Sequence, residues 1–94
     1  MTARQALLRD YRAAFLRYLS RHEESALDTG YQLGRAALAG GRSLLEVVQV
    51  HHEVLTEVLR DSPGGEVALI ARSASDFLVE VLASYDMARR CPGS

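Results

Sequence analysis

Residues 73–87, SASDFLVEVLASYDM, constrain the fold more than any other part of the sequence. Their apolar residues recur at the i, i+3, i+4, i+7 spacing of one face of an α-helix. That face is expected to bury Phe77, Leu78, Val81, Leu82 and Tyr85. A thinner stripe on the opposite side holds Asp76, Val79, Ala83 and Met87. Because a helix at the edge of a small domain needs only one apolar face, this second stripe indicates contact with another subunit or a partner protein. Singly exposed apolar side chains are the alternative.

Caps and periodicity predict two helices at the amino-terminal end. The first opens at Thr2, which forms the capping-box pattern with Gln5, and its apolar stripe continues to about Arg21. Glu23 and Glu24 favour the first turn of the second helix, which is expected to run to about Ala39 and to stop at the glycine pair 40–41. The expected inward positions of the second helix are Leu27, Tyr31, Gly34, Ala37 and Leu38.

The second helix also carries two glycines, Gly30 and Gly34, one turn apart. Each costs up to about 1 kcal/mol relative to alanine in a helix interior. Close approach of a neighbouring helix would explain that cost, and glycines without a structural role are the alternative.

The third helix opens with a second capping box, Ser43 with Glu46, and extends to about Arg60. It is the most apolar of the four. One line holds Leu44, Val48, His51, Leu55 and Leu59, and the neighbouring line holds Val47, Val50, Val54 and Val58. A stripe of this width predicts a central helix. Valine also favours strands, but the caps, the length and the spacing decide for a helix.

Residues 61–65 form a turn by composition, and the last helix is expected from about Glu66 to Arg89 or Arg90, with a stop at residues 91–94. Four helices joined by short links predict an all-α fold, an antiparallel four-helix bundle, in a single domain over residues 1–94. A domain of this size buries roughly two-thirds of its unfolded-chain surface, so pairing with a second copy would help it.

Charge and apolar content narrow the possible functions. The chain has 11 basic residues, all arginine, against 12 acidic residues, a formal net charge of −1 and no block of like charge. It therefore lacks the electrostatic footprint of a nucleic-acid-binding protein. No apolar run approaches the ~20 residues that cross a bilayer, and the start has no signal-peptide core. A single cysteine, Cys91, gives no disulfide framework, so a cytoplasmic protein is predicted.

No arrangement of residues predicts catalysis, a metal or a cofactor. His51 and His52 point about 100° apart on a helix, whereas zinc-binding histidines on helices are spaced i, i+4. The carboxylates lie at helix-surface spacing, and Glu80 is expected to face an arginine of a neighbouring helix. Cys91 has no paired base and is not expected to be a catalytic thiol. A small-ligand or metal sensor that uses His51 stays open as an alternative.

Several short pieces of the sequence form a pattern: Arg17-Tyr18, Arg35, the branched residues before His51 with Val54-Leu55 after it, and Phe77-Leu78-x-Glu80-Val81-x-x-x-Tyr85-x-Met87-Ala88. These pieces and the order of the helices resemble the amino-terminal domain of the RsbU family of serine phosphatases. No single piece is diagnostic, and the specificity lies in their order and spacing over nearly the whole chain. The turn at residues 61–65 and the start of the last helix are several residues longer than in the family's pattern.

The resemblance implies a four-helix regulatory domain that forms a homodimer and has no catalytic residues. It implies docking of a switch-protein kinase of the RsbT type, released under stress. Docking would activate a serine phosphatase domain that follows, whose target is a phosphorylated anti-anti-sigma factor. This chain is accordingly expected to be cut from, or followed by, an effector domain.

The implied docking role and the second stripe on the last helix together predict a partner-binding surface. It comprises Val79, Ala83 and Met87 on the last helix, with Asp28 and Gln32 on the adjoining side of the second helix. A dimerisation module of a histidine kinase or another effector, without a switch partner, is the alternative.

Overall fold

Four α-helices dominate the computed structural model, which describes residues 2–90, with side chains as far as Met87. The helices are α1 (Ala3–Arg21), α2 (Glu24–Ala39), α3 (Leu44–Arg60) and α4 (Val67–Arg90), and a short 3₁₀ helix, Gly64–Glu66, leads into α4. Residues 2–90 contain no strand, so the prediction of an all-α fold is confirmed. None of the helices described is both long and apolar enough to cross a membrane. The predicted stop at residues 91–94 lies outside the described residues.

Both predicted capping boxes are present, that of α1 with both of its hydrogen bonds and that of α3 with one of them. At α1 the Gln5 N–H donates to Thr2 Oγ1 at 3.1 Å, and the Thr2 N–H donates to Gln5 Oε1 at 2.8 Å. At α3 the Glu46 N–H donates to Ser43 Oγ at 3.1 Å, but the Glu46 carboxylate accepts from the Arg42 guanidinium at 3.3 Å instead of returning to the cap. A charged partner binds a carboxylate more strongly than a backbone N–H does, which explains the missing half.

The end of α1 is fixed by His22. This residue has a left-handed φ of 53°, which is uncommon for a residue with a side chain. Its N–H donates to the Tyr18 carbonyl at 2.8 Å, and its Nε2 lies 3.1 Å from Ser73 Oγ on α4. These contacts hold the turn into α2 and give His22 a structural role.

The core is centred on Phe77 of α4, which is fully buried. Its ring centroid lies 5.2 Å from that of Tyr11, 5.6 Å from that of Phe15 and 6.1 Å from that of Tyr18, all on α1. Offset and edge-on rings at these separations attract one another beyond the effect of area burial alone. On the predicted inward face of α4, Phe77, Val81 and Tyr85 are buried, and Leu78 and Leu82 are half-buried.

The closest helix pair is α2 with α4, and the two glycines explain it. A Cβ at Gly30 would lie 2.9 Å from Phe77 Cε1. A Cβ at Gly34 would overlap both the Val81 carbonyl oxygen and Ser84 Oγ. Close approach is therefore the reason for the two glycines, and the alternative without a structural role is wrong. The order of these contacts also shows that α2 and α4 run in the same direction.

The inward face of α2 differs from the predicted one. The buried residues are Ala26, Gly30, Gly34 and Ala37, all of them small. Of the predicted inward positions, Gly34 and Ala37 are buried, but Leu27 and Tyr31 are only half-buried and Leu38 is exposed. Because α4 lies so close, the facing strip of α2 has room only for small residues, and the larger ones flank it.

The prediction that α3 is a central helix is wrong. Its fully buried side chains are those of Val47, Val50 and Val54, whereas Leu44 and Val48 of the neighbouring line are exposed and Leu55 is only half-buried against the core. α3 packs beside α1 in the same direction, tied by ion pairs between Arg4 and Glu53 at 3.6 Å and between Arg12 and Glu57 at 2.9 Å. α3 is thus peripheral, and three apolar side chains in its first half, Leu44, Leu45 and Val48, are exposed.

Candidate docking surface

The five predicted partner-binding residues lie on the outer sides of α2 and α4. Val79 and Met87 are 65% and 49% exposed, and Ala83 between them is half-buried. Asp28 and Gln32 are exposed, one turn apart on α2. Their accessibility follows from the fold, and their role in binding stays a prediction.

The placement of this stripe follows from the buried line of α4. Phe77 and Val81 point into the core, and a position two residues beyond Phe77 lies about 200° around the helix. Val79 therefore cannot reach the core without turning Phe77 out of it. Substitution of Val79 by a polar residue is consequently compatible with the fold.

A cleft of about 360 Å³ between α2 and α4 adjoins the stripe. Its lining residues are Glu24, Leu27, Asp28, Tyr31 and Glu80. The two apolar members, Leu27 and Tyr31, are the half-buried flank of α2, and the three acidic members stand around them. Within the described residues, none of these three carboxylates makes an ion pair.

The expectation that Glu80 faces an arginine is wrong for the part of the chain that the structure describes. Its neighbours across the cleft are the acidic residues Glu24 and Asp28 of α2. The parallel direction of α2 and α4 brings this acidic first half of α2 beside Glu80. Three like charges around one cleft lower the local potential and favour a cationic group there.

The cleft and the apolar stripe form one surface. Glu80, Ala83 and Met87 follow one another at i, i+3, i+7 and so share one face of α4. Asp28 lines the cleft, and Gln32 lies one turn further along α2. We call this set the docking surface: the cleft residues together with Gln32, Val79, Ala83 and Met87.

Four residues of this surface were not among the predicted set, namely Glu24, Leu27, Tyr31 and Glu80. A signal for the first three exists in the sequence. Residues 24, 27, 28 and 31 have the i, i+3, i+4, i+7 spacing of one helix face, with acidic and apolar residues mixed on it. Such a mixture is typical of a face that is neither core nor fully solvated. The position of Glu80 opposite this face depends on the packing of α2 against α4, which periodicity does not contain.

His51, on which a sensor role would depend, is occupied within the core. Its Nδ1 lies 2.7 Å from the hydroxyl of Tyr11, which is fully buried. Burial lowers the pKa of His51, and the neighbouring His52 lowers it further; burial also raises the pKa of Tyr11. Both groups are therefore neutral at neutral pH. Among residues 2–87, no three or more His, Cys, Asp or Glu side chains are grouped so as to hold a metal ion.

We expect the free energy of unfolding to fall as the pH drops from about 6.5, the ordinary pKa of histidine. Because the pKa of His51 is lowered in the folded state, the unfolded chain takes up the proton first, and stability present above that pH is lost as the pH falls through the folded-state pKa. A second loss is expected below 4.5, since hydrogen bonds from Arg12 lower the pKa of Glu57 from that value. Urea denaturation at a series of pH values measures both losses.

The matched control is His51→Gln, which can still accept a hydrogen bond from the Tyr11 hydroxyl but does not titrate. This variant should lack the first loss and retain the second. A decline between pH 6.5 and 4.5 that is equally steep in the variant would contradict the assignment to His51.

Comparison with known families gives one match. The model of the family described as "Phosphoserine phosphatase RsbU, N-terminal domain" matches residues 9–88 of the chain. The match includes α2 and α3 entirely, most of α1 and α4, and every residue of the docking surface. No curated protein and no solved structure matches the chain.

Proposed function

Because the chain belongs to the family of N-terminal domains of the phosphoserine phosphatase RsbU, we propose that it is a non-catalytic domain that docks a switch-protein kinase of the RsbT type. Membership of the family supports a regulatory role in stress-response phosphatase signalling. In this proposal helices that follow one another in the chain run antiparallel, α2 and α4 pack in the same direction, and the bundle pairs with a second copy in the cytoplasm. Docking of the kinase regulates an attached serine phosphatase and, through it, a sigma factor.

The observation that carries the proposal is the docking surface. Val79 and Met87 expose apolar side chains beside a cleft whose three carboxylates lack a partner in the described chain. Apolar contacts at the centre and charge complementarity at the rim are the usual composition of a protein–protein interface. A kinase that presents an apolar patch with a neighbouring arginine or lysine would fit both parts.

We expect Val79→Asp to abolish capture of the kinase and leave the domain folded. The substitution places a charge in the apolar part of the surface, where it would be desolvated without a partner on binding. Because Val79 is 65% exposed, the folded domain loses little. Isothermal titration of the purified domain with an RsbT-type kinase from the same genome measures the capture, and circular dichroism measures the fold.

The control is Leu69→Asp, which makes the same type of change at a 56%-exposed position of α4. It lies ten residues from Val79, about 15 Å along the helix, and should bind the kinase as the unmodified domain does. Equal binding by the Val79→Asp variant would remove α4 from the docking surface. Unfolding of that variant would contradict its placement outside the core.

A further inference from the structure

Leu38 of α2 is large and apolar but is not part of the core. It is 38% exposed, near the carboxyl end of α2. Tyr31 lies two turns before it and Leu27 three turns before it, so the three side chains follow one line of α2. Leu27 and Tyr31 line the acidic cleft. The line therefore continues beyond the cleft and presents a leucine where the fold does not bury it.

The close contact of Gly34 with the Val81 carbonyl fixes which levels of α2 and α4 match. Because the two helices run in the same direction, each further turn of α2 is level with a further turn of α4. Leu38 is one turn beyond Gly34 and is therefore about 3 Å along the axis from the level of Met87. Met87 is 49% exposed and shares a face of α4 with Glu80, which lines the cleft. Two exposed apolar side chains thus flank the carboxyl end of the space between the helices.

We call this space the α2–α4 groove. Its walls are Leu27, Tyr31 and Leu38 on α2 and Glu80, Ala83 and Met87 on α4. From Leu27 to Leu38 it is about 16 Å long, the length of three helical turns. Its amino-terminal half is the acidic cleft of about 360 Å³. The groove continues past small residues, the buried Gly34 and the half-buried Ala83, to its apolar carboxyl-terminal half.

A helix is the element that fits this groove. Both walls are helices, and residues 2–90 contain no strand whose edge could pair with an extended peptide. A helix laid between two others packs its side chains into the spaces between theirs, through anchors at i, i+3 or i+4 and i+7. Three turns of such a helix have the length of the groove. A short loop, by contrast, would fill the acidic cleft alone and leave Leu38 and Met87 exposed.

The charges of the groove specify the residues of that helix. Glu24, Asp28 and Glu80 surround the amino-terminal half, and Leu38 and Met87 flank the other half. The three carboxylates lower the local potential and favour an arginine or a lysine. The exposed apolar pair favours a methionine or an aromatic side chain. A helix whose contact face is basic at one end and apolar at the other matches both halves in only one orientation.

We propose that the α2–α4 groove binds an amphipathic helix of the switch-protein kinase, with an arginine or lysine in the acidic cleft and apolar anchors between Leu38 and Met87. The inference rests on the proposed function and names the element of the partner that the docking surface takes. It adds Leu38 to that surface. Affinity then depends on both halves, through burial of apolar area at one end and salt-sensitive charge pairing at the other.

Isothermal titration of the purified domain with an RsbT-type kinase from the same genome tests the apolar half. Leu38→Asp should raise the dissociation constant about tenfold or more, because it places an unpaired charge against the apolar anchors. Leu16→Asp, at a 43%-exposed leucine of α1, is the matched control and should leave the constant unchanged. Leu16 lies one turn beyond Arg12, which pairs with Glu57 of α3 and so marks a side of α1 away from the groove.

Salt separates the acidic half from the apolar half. Glu80→Gln should weaken binding about fivefold at low salt and reduce the dependence of the dissociation constant on salt. In 1 M salt, where the screening length is about 3 Å, this variant and the unmodified domain should bind alike. Leu38→Asp should weaken binding under both conditions, because the desolvation of its charge persists in salt.

The outcomes separate the inference from the proposed function. Unchanged binding by Leu38→Asp would overturn the helix, since only a shorter element would then occupy the groove, and unchanged binding by Glu80→Gln at low salt would overturn its basic anchor. In both cases a loss of capture in Val79→Asp would leave the proposed function standing. Failure of the unmodified domain to bind the kinase would overturn both. If circular dichroism shows that Leu38→Asp does not fold, Leu38→Ala decides, and it should weaken binding about threefold because it removes apolar contact without adding a charge.

Discussion

Gly34→Ala is expected to destabilise the domain by about 2 kcal/mol, although alanine is the better helix former. The added Cβ would overlap the Val81 carbonyl oxygen and Ser84 Oγ. A backbone oxygen within a helix cannot rotate aside, so α2 and α4 must separate, at an overpacking cost of about 3 kcal/mol. The gain in helix propensity returns at most about 1 kcal/mol of this. Urea denaturation should show a lower midpoint with an unchanged m-value, and the melting temperature should fall by on the order of 10 °C.

Two other glycines provide graded controls. At Gly30 the nearest atom to an added Cβ is Phe77 Cε1 at 2.9 Å, and a ring can tilt, so Gly30→Ala should cost less. At Gly64 nothing lies within 4 Å, and Gly64→Ala should be neutral or stabilise by up to about 1 kcal/mol. Removing the Ser84 side chain as well should not rescue Gly34→Ala, because the overlap with the Val81 oxygen persists. Rescue by that second change would show that the backbones of α2 and α4 are not in contact.

The glycine pair also shows what periodicity can and cannot predict. Bounds and caps of the helices follow from local chemistry, so Thr2 and Ser43 could be assigned to their caps from sequence alone. The inward face of α2 could not be predicted, because the largest apolar residues of a helix are usually expected to face the core. Where two backbones approach closely, the rule reverses, and the residues that leave room face the neighbour. Leu27 and Tyr31 then become flanks, and the cleft arises from their displacement.

The prediction of a central position for α3 fails for a related reason. The width of an apolar stripe predicts how much of a helix is covered, but not whether the same chain or another molecule covers it. Val47, Val50 and Val54 meet the core, whereas Leu45 and Val48 do not.

One part of the docking surface could be predicted from the sequence, and the other part could not. The exposure of Val79 and Met87 could be predicted, because it depends only on the angle from the Phe77 line within one helix. The cleft could not, because it requires the direction and register of α2 against α4. The prediction that Glu80 faces an arginine is wrong for the same reason, because the packing of α2 against α4 places acidic residues of α2 opposite it.

The largest loss of stability is expected from Phe77→Ala, at about 4 kcal/mol. Phe77 has no exposed surface and contacts rings on α1 and the backbone of α2 at Gly30. Truncation removes a buried ring and leaves a cavity that three aromatic neighbours are too rigid to fill, so the transfer and cavity costs add. A domain of this length has a total stability of about 5–14 kcal/mol, and the loss is a large part of it. Urea denaturation measures the change directly.

Leu69→Ala is the control for Phe77→Ala, since an exposed leucine of the same helix should change stability by less than about 0.5 kcal/mol. Phe77→Ala and Val79→Asp should also lower kinase capture in two distinguishable ways. Phe77→Ala should lower kinase capture only in proportion to the unfolded fraction, so capture should recover as urea is removed or a stabilising osmolyte is added. Val79→Asp should lose capture with the fold intact, and no osmolyte should restore it. A Phe77→Ala variant that loses less than about 1 kcal/mol would contradict the core described for α1, α2 and α4.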